Sequence, residues 1–109
     1  MSSDTSAPGT AAVLSSGTRV RITLAGELDL ACRPAVEEAC GEALSHGLPV
    51  DLDVQDVTFM DSSVLTLVFT IAGSSPVRVV GANELVRFLF EVTGLSSRVE
   101  MVDADPGAL

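Results

Sequence analysis

An aspartate and two serines interrupt a strongly apolar stretch of this 109-residue chain. They are Asp61, Ser62 and Ser63, within the segment VTFMDSSVLTLVF at residues 57–69. A serine hydroxyl in such a place has two chemical uses, as a nucleophile in hydrolysis or as the acceptor of a phosphoryl group. Asp61 also suits the position before a helix, because its carboxylate accepts hydrogen bonds from first-turn amides. The residues alone leave a plain capping role and a phosphorylation switch both open.

Hydrolytic, metal and nucleotide chemistry have little support in the sequence. His46 is the only histidine, so it is the only imidazole that could serve Ser62 or Ser63 as a base. Neither serine lies in a GxSxG elbow. No CxxC or HxxxH spacing suggests a metal site, and no GxxxxGK[ST] or GxGxxG loop suggests a phosphate cradle. We therefore expect no enzymatic activity, no catalytic residues, no metal and no cofactor.

The composition argues against nucleic acid as a partner. The chain carries 15 acidic residues against 6 arginines, which gives a net charge of −9, and it has no tryptophan or tyrosine. A phosphate backbone would be repelled by such a surface, and base stacking would lack its usual platforms. No signal peptide and no apolar segment of membrane-spanning length is visible. We expect a cytoplasmic protein whose partners are proteins, with no membrane or nucleic acid among them.

The hydrophobic pattern predicts strands that alternate with helices. Gly17 lies between two short strands that resemble a hairpin, and Val20, Ile22 and Leu24 fall on one face of the second strand. The predicted order is β-β-α-β-α-β-α-β, which indicates an α/β mixed sheet of four to five strands with helices packed on it. The predicted strands are 11–16, 18–26, 49–56, 76–82 and 98–102, and the predicted helices are 33–47, 61–73 and 83–94. Residues 1–10 are expected to be a flexible tail, 11–103 the domain and 104–109 a short C-terminal tail.

The last predicted helix, NELVRFLFEVTG, has apolar residues on more than one side. Asn83 is its expected cap and Gly94 its expected end. Its inward-facing stripe is predicted to be Leu85, Phe88, Leu89 and Val92. Val86 and Phe90 then have two interpretations, as cover for the sheet edge or the preceding helix, or as an exposed patch for a partner.

Three segments together resemble the anti-sigma factor antagonists, small bacterial members of the STAS (sulphate transporter and anti-sigma factor antagonist) family. DVTFMDSSVL is similar to the family's Asp-Ser-Ser or Asp-Ser-Thr signature between a strand and an apolar helix. LAGELDLACRPAV is similar to its Gly-Glu-Leu-Asp loop before the first helix. VVGANELVRFLFEVTGL is similar to its late strand, its helix and the Thr-Gly-Leu stop. The segments occur in the family's order and cover residues 11 to about 103.

The resemblance implies a role for each of these residues. The serine after the motif aspartate, here Ser62, would be phosphorylated by an anti-sigma factor with serine kinase activity. The unphosphorylated protein would bind that anti-sigma factor and free a sigma factor for transcription, and a protein phosphatase would restore binding. The partner-binding residues would be Gly26, Glu27, Leu28, Asp29, Asp61, Ser62, Ser63 and Val64.

The chain also departs from the family pattern. Val64 stands where glycine is usual, and its side chain is expected to fill space beside the phosphoacceptor that a kinase pocket requires to be empty. Cys32 replaces a common serine or threonine. These departures favour an alternative, namely a STAS docking or scaffold module without phosphorylation. Small regulatory subunits of transport or signalling complexes are of this kind.

Overall fold

The predicted alternation of strands and helices is present in the computed structural model, which describes residues 7–103. Together the strands form one sheet, and the order β-β-α-β-α-β-α-β is confirmed. The strands are β1 (Thr10–Ser15), β2 (Val20–Leu28), β3 (Val50–Met60), β4 (Val77–Val80) and β5 (Glu100–Val102). The helices are α1 (Arg33–Ser45), α2 (Ser62–Ser74) and α3 (Glu84–Val92), with 3-10 turns at Leu30–Cys32 and Leu95–Ser97.

The sheet is mixed, as the sequence predicts. Its spatial order is β1-β2-β3-β4-β5; β1 pairs with β2 as an antiparallel hairpin, and the other neighbours are parallel. Each parallel step is made by one helix, and right-handed crossovers between neighbouring strands place α1, α2 and α3 on the same face. The inward side chains of β2 are fully buried beneath them. In the described part of the chain, no helix is both long and apolar enough to cross a membrane.

The face of the sheet opposite the helices carries a row of alternating charges. Arg21, Asp51, Arg78 and Glu100 are register partners across β2, β3, β4 and β5. We call these four residues the charge row. Asp51 is 1% exposed and is the only buried charged side chain among the described residues. The row therefore joins the four parallel strands on the side that no helix covers.

The segment after Asp61 is a helix, which resolves its ambiguous sequence. Its β-branched residues favour a strand by propensity. The helix prevails because Asp61 caps it and because Val64, Val68 and Ile71 recur at helical spacing and are all 0% exposed. It extends one residue beyond Gly73, the end that the sequence suggests.

The prediction for the inward face of α3 is wrong for three of its four residues, and only Leu89 packs against the core. Val86 and Phe90 are both 0% exposed and belong to the core, whereas Leu85, Phe88 and Val92 are 39%, 58% and 62% exposed. The idea that Val86 and Phe90 form an exposed patch is therefore also wrong. Asn83 explains the orientation, because its side chain accepts from the Val86 amide and also donates to the Val57 carbonyl at 2.8 Å. This second bond ties the start of α3 to β3 and sets which stripe faces inward.

The N-terminal segment lies partly along β2. The Glu27 amide donates to the Ala7 carbonyl at 3.0 Å, and Pro8 forms an isolated parallel bridge with Glu27. The remainder of both expected tails, residues 1–6 and 104–109, lies outside the described residues.

Candidate functional site

The two motifs singled out in the sequence meet at the carboxyl end of the parallel strands. Leu28 at the end of β2 is the register partner of Met60 at the end of β3. The Asp61 amide donates to the Leu28 carbonyl at 2.9 Å, so the chain after β3 is bonded to the chain after β2. This places residues 26–29, which we call the GELD segment, beside the start of α2. In doubly wound α/β folds, the carboxyl ends of strands are where ligands and partners usually bind.

Asp61 caps α2. Its carboxylate accepts from the Ser63 amide at 2.7 Å, and this bond lowers the pKa of Asp61. Its backbone carbonyl accepts from the amides of Val64 and Leu65 at 3.0 and 3.3 Å. The first-turn amides of Ser63, Val64 and Leu65 therefore all have acceptors within the helix start itself. An incoming anion would find them occupied, although a helix N-terminus normally offers free amides.

The two serines lie in different surroundings. Ser62 is the first residue of α2 and is exposed. Ser63 is half-buried, and its Oγ is fully enclosed. A protein kinase needs a hydroxyl that it can approach, so Ser62 is the serine of this pair that fits a phosphoacceptor.

The Val64 side chain points away from the surface. It is 0% exposed and packs in the core. It therefore does not fill space beside the Ser62 hydroxyl, contrary to the expectation from the sequence. Nor is its side chain available for direct partner contact in this conformation. The reason is helical geometry, since Val64 is two residues beyond Ser62 and about 200° around the helix from it.

The GELD segment is mostly strand and not the loop that the sequence suggests, because Gly26, Glu27 and Leu28 are the last residues of β2. It also offers fewer side chains to a partner than expected. Leu28 is 0% exposed, and Gly26 is buried with a φ of 81°. A Cβ on Gly26 would lie 2.4 Å from the Pro8 carbonyl oxygen, so glycine is required there by the adjacent N-terminal segment. Glu27 is half-buried and Asp29 is exposed. Only these two acidic side chains of the GELD segment can reach a partner.

Two residues at this end were not singled out in the sequence. Leu30, in the turn before α1, is 65% exposed, which is unusual for leucine beside a buried strand end. Arg33 begins α1, and its Nη1 donates to the Ser63 carbonyl at 2.7 Å and lies 3.3 Å from Thr66 Oγ1. Nothing in the sequence indicated a role for either residue. Leu30 could equally be a core leucine, and Arg33 could be any arginine in the first turn of a helix.

The geometry separates the residues that hydrolysis would require together. His46 follows α1 and precedes the start of β3, whereas Ser62 follows the end of β3. A strand of this length spans roughly 30 Å, so the imidazole cannot reach either serine. Among residues 7–103, no three side chains of His, Cys, Asp or Glu come together as a metal-binding group.

Solved structures with this fold include bacterial regulators. An anti-sigma factor antagonist from Mycobacterium paratuberculosis superposes with a TM-score of 0.77 at 22% identity, covering 86% of this chain and 85% of that one. The anti-sigma factor antagonist SpoIIAA in its unphosphorylated form gives a TM-score of 0.65 at 21% identity, with 85% and 88% covered. The Bacillus cell fate determinant SpoIIAA in its phosphorylated form gives 0.63 at 21% identity, with 85% and 91% covered. At these identities the likeness establishes the fold.

Sequence comparison places the family more directly. A search of curated proteins gives no significant match. The family model described as "Mlab, STAS domain" matches residues 11–103, which is most of the chain. With the five-stranded mixed sheet, its three helices and the Asp-Ser-Ser start of α2 in place, this match shows that the chain belongs to the STAS domain family.

Proposed function

We propose that this chain is an anti-sigma factor antagonist. In its unphosphorylated form it binds an anti-sigma factor through the carboxyl end of the sheet around Ser62. That partner carries serine kinase activity and phosphorylates Ser62, which ends the binding, and a protein phosphatase reverses the modification. The chain acts in the cytoplasm as a binding partner and as a substrate of other enzymes, and catalyses nothing itself.

The observation that carries this proposal is the exposed hydroxyl of Ser62 directly after the Asp61 cap, beside an enclosed Ser63. Proteins of the same fold add support, since SpoIIAA is described as an anti-sigma factor antagonist and has been solved both unphosphorylated and phosphorylated. The exposed side chains of Asp29 and Leu30 give the same end of the sheet both charge and apolar area for a partner.

A phosphate at Ser62 would act as an electrostatic switch. It adds roughly −1.5 to −2 charges at neutral pH. Glu27, Asp29 and Asp61 already make this end acidic, so a partner that fits it presents basic groups and a close fit to the neutral hydroxyl. The phosphate would occupy the space in which the partner surface contacts the Ser62 hydroxyl. The partner would then have to bury a hydrated dianion.

A docking module without phosphorylation is the second candidate. The family model that matches the chain is described by the name Mlab and not as an antagonist. In this alternative the same exposed end binds a subunit of a transport or signalling complex. Ser62 then only starts α2, and the binding does not respond to ATP.

The first experiment is a phosphosite map of the protein isolated from its own cells under several growth and stress conditions. No arginine or lysine lies between Arg33 and Arg78, so cleavage at acidic residues is preferable to trypsin. Ser63→Ala is the matched control, because its hydroxyl is enclosed. We expect phosphate on Ser62 in the wild type and in Ser63→Ala, and none in Ser62→Ala. Phosphate on neither serine in any condition would favour the docking module.

The second measurement does not require the sigma factor to be identified. Transcripts are compared between strains that carry Ser62→Ala, which cannot be phosphorylated, and Ser62→Glu, which adds a charge. An antagonist predicts that the two variants change one set of transcripts in opposite directions, several-fold each. Ser63→Ala should resemble the wild type. Identical transcript profiles in the two Ser62 strains would contradict the proposed switch.

A further inference from the structure

Arg33 is the one arginine of the described residues whose guanidinium lies against the start of α2. It is the first residue of α1, and its Nη1 donates to the Ser63 carbonyl at 2.7 Å, next to Thr66 Oγ1. Thr66 Oγ1 donates to the same carbonyl, also at 2.7 Å. Within residues 7–103, Arg33 has no carboxylate partner, and its guanidinium contacts only uncharged oxygen atoms.

The other arginines are engaged elsewhere. Arg19, Arg21 and Arg78 surround Asp51 on the open face of the sheet, Arg87 pairs with Asp103, and Arg98 lies over the Phe69 ring. In the part of the chain that the structure describes, a phosphate at the start of α2 would therefore meet acidic neighbours and a single uncommitted cation. That cation is Arg33.

The helix start offers the phosphate fewer free amides than helix N-termini usually do. The amides of Ser63, Val64 and Leu65 are already bonded to Asp61. The Asp61 carboxylate also repels a second anion. A side-chain cation is thus the ligand that can balance the charge of a phosphate on this helix.

The distances allow the contact. Ser62 and Thr66 are four residues apart on α2, so their side chains are neighbours on one face with Cβ atoms about 5–6 Å apart. Arg33 Nη1 already lies 3.3 Å from Thr66 Oγ1. Its Nε and Nη2 groups make no hydrogen bond within the described residues, which leaves the bidentate edge of the guanidinium open. A change of rotamer brings that edge to a phosphate on Ser62.

We propose that Arg33 is the phosphate-binding residue of this site, and that it exchanges the Ser63 carbonyl for the phosphate oxygens when Ser62 is phosphorylated. The inference rests on the proposed phosphorylation of Ser62. The exchange forms a charged clamp between α1 and α2 and changes the surface that a partner meets. It also holds the phosphate in its dianionic form near neutral pH, because a neighbouring cation favours the charged species.

The test uses protein made with phosphoserine incorporated at position 62 during synthesis, so it needs no kinase. The second pKa of the phosphoserine is measured by phosphorus NMR in the otherwise wild-type chain, in Arg33→Gln and in Arg33→Lys. We expect Arg33→Gln to raise that pKa by about 0.5–1 unit and Arg33→Lys to give an intermediate value. Arg87→Gln, which removes a paired arginine of α3, is the matched control and should leave it unchanged.

A second readout follows the arginine directly. The Arg33 side-chain nitrogen signals should shift between the Ser62 and phosphoserine-62 proteins, while those of Arg87 should not. Equal phosphoserine pKa values in wild type and Arg33→Gln, or unmoved Arg33 signals, would overturn the proposal. Since the phosphate is installed synthetically, this result is independent of the phosphosite map. The map can fail while Arg33 binds phosphate, and the clamp can fail while Ser62 is phosphorylated in cells.

Discussion

Asp51 and Asp61 lie at opposite ends of the same strand and are stabilised in opposite ways. Asp51, near the start of β3, is 1% exposed and receives hydrogen bonds from Arg19 at 2.7 and 3.1 Å and from Arg78 at 2.8 and 3.0 Å. Asp61, just after β3, has no arginine partner in the described structure and bonds to the Ser63 amide. One carboxylate is neutralised by side chains, and the other is held by backbone.

The difference separates a structural end of the sheet from an adaptable one. Burial by itself raises the pKa of Asp51, but the hydrogen bonds and charges of Arg78 and Arg19 outweigh it and lower the pKa to about 2. Such a network ties neighbouring strands together and encloses the Asp51 carboxylate. Around Asp61 the acidic groups and Arg33 keep unused bonding capacity, which is why we propose that a partner and a phosphate bind at that end.

Removing the buried carboxylate should have the largest effect on stability. Asp51→Asn leaves Arg19 and Arg78 without their counter-ion, and we expect unfolding free energy to fall by about 2–4 kcal/mol. The arginines are 29% and 26% exposed, so water reduces the penalty below that of a fully buried pair. Chemical denaturation measures the change. Asp53→Asn, on the same strand with the Arg21 partner at 3.3 Å, is the control and should cost less. Equal losses in the two variants would contradict the special role of Asp51.

Low pH should remove the stabilisation that the ionised Asp51 carboxylate provides. The folded pKa of Asp51, about 2, is below its ordinary value of 3.8, so its stabilisation is fully present above pH 4 and is lost as the pH falls toward 2. The expected loss is about 2 kcal/mol over this window. Denaturation of wild type and Asp51→Asn at pH 5, 3 and 2 measures it. The two proteins should converge in stability with falling pH, and parallel curves would refute the assignment.

The smallest of the three effects concerns the adaptable end. Gly26→Ala and Gly17→Ala both place alanine at positive φ, 81° and 94°, which costs roughly 1 kcal/mol each. Gly17 has nothing within 4 Å of a Cβ, whereas Gly26 has the Pro8 carbonyl at 2.4 Å. Gly26→Ala should therefore lose about 1 kcal/mol more than Gly17→Ala. Faster amide exchange at Glu27 in Gly26→Ala would show that the N-terminal segment has separated from β2.

The sequence was sufficient for the elements but not for every face. The alternation of apolar and polar residues identified β2 and the first part of β3, because successive side chains there point in turn to the core and to the open face of the sheet. It ended β3 at residue 56, four residues early, because the register with β2 shifts after Thr23 and again after Gly26, and these shifts break the alternation. The α3 face could not be deduced, since apolar residues cover two sides and the deciding bond from Asn83 to Val57 joins residues 26 apart.

For the candidate site, the sequence predicted the Asp61 cap but not the burial of its neighbours or the contact from Arg33. The Asp61 cap followed from residue type alone, and its bond to Ser63 confirms it. The burial of Val64 and the enclosure of Ser63 Oγ depend on where α2 packs, which no local pattern specifies. Arg33 reaches α2 across 30 residues, so only the crossover geometry of α1 reveals it.

The charge row also bears on how the chain folds. Asp51 bonds to Arg78 of the row, 27 residues after it, and to Arg19 beside the row, 32 residues before it, so neither bond forms until the intervening crossover has closed. Contacts of such long range form only after the loop-closure entropy has been lost, so we expect these to form late in folding. We therefore expect a change in this network to alter mainly the unfolding rate, and with it the lifetime of the native state.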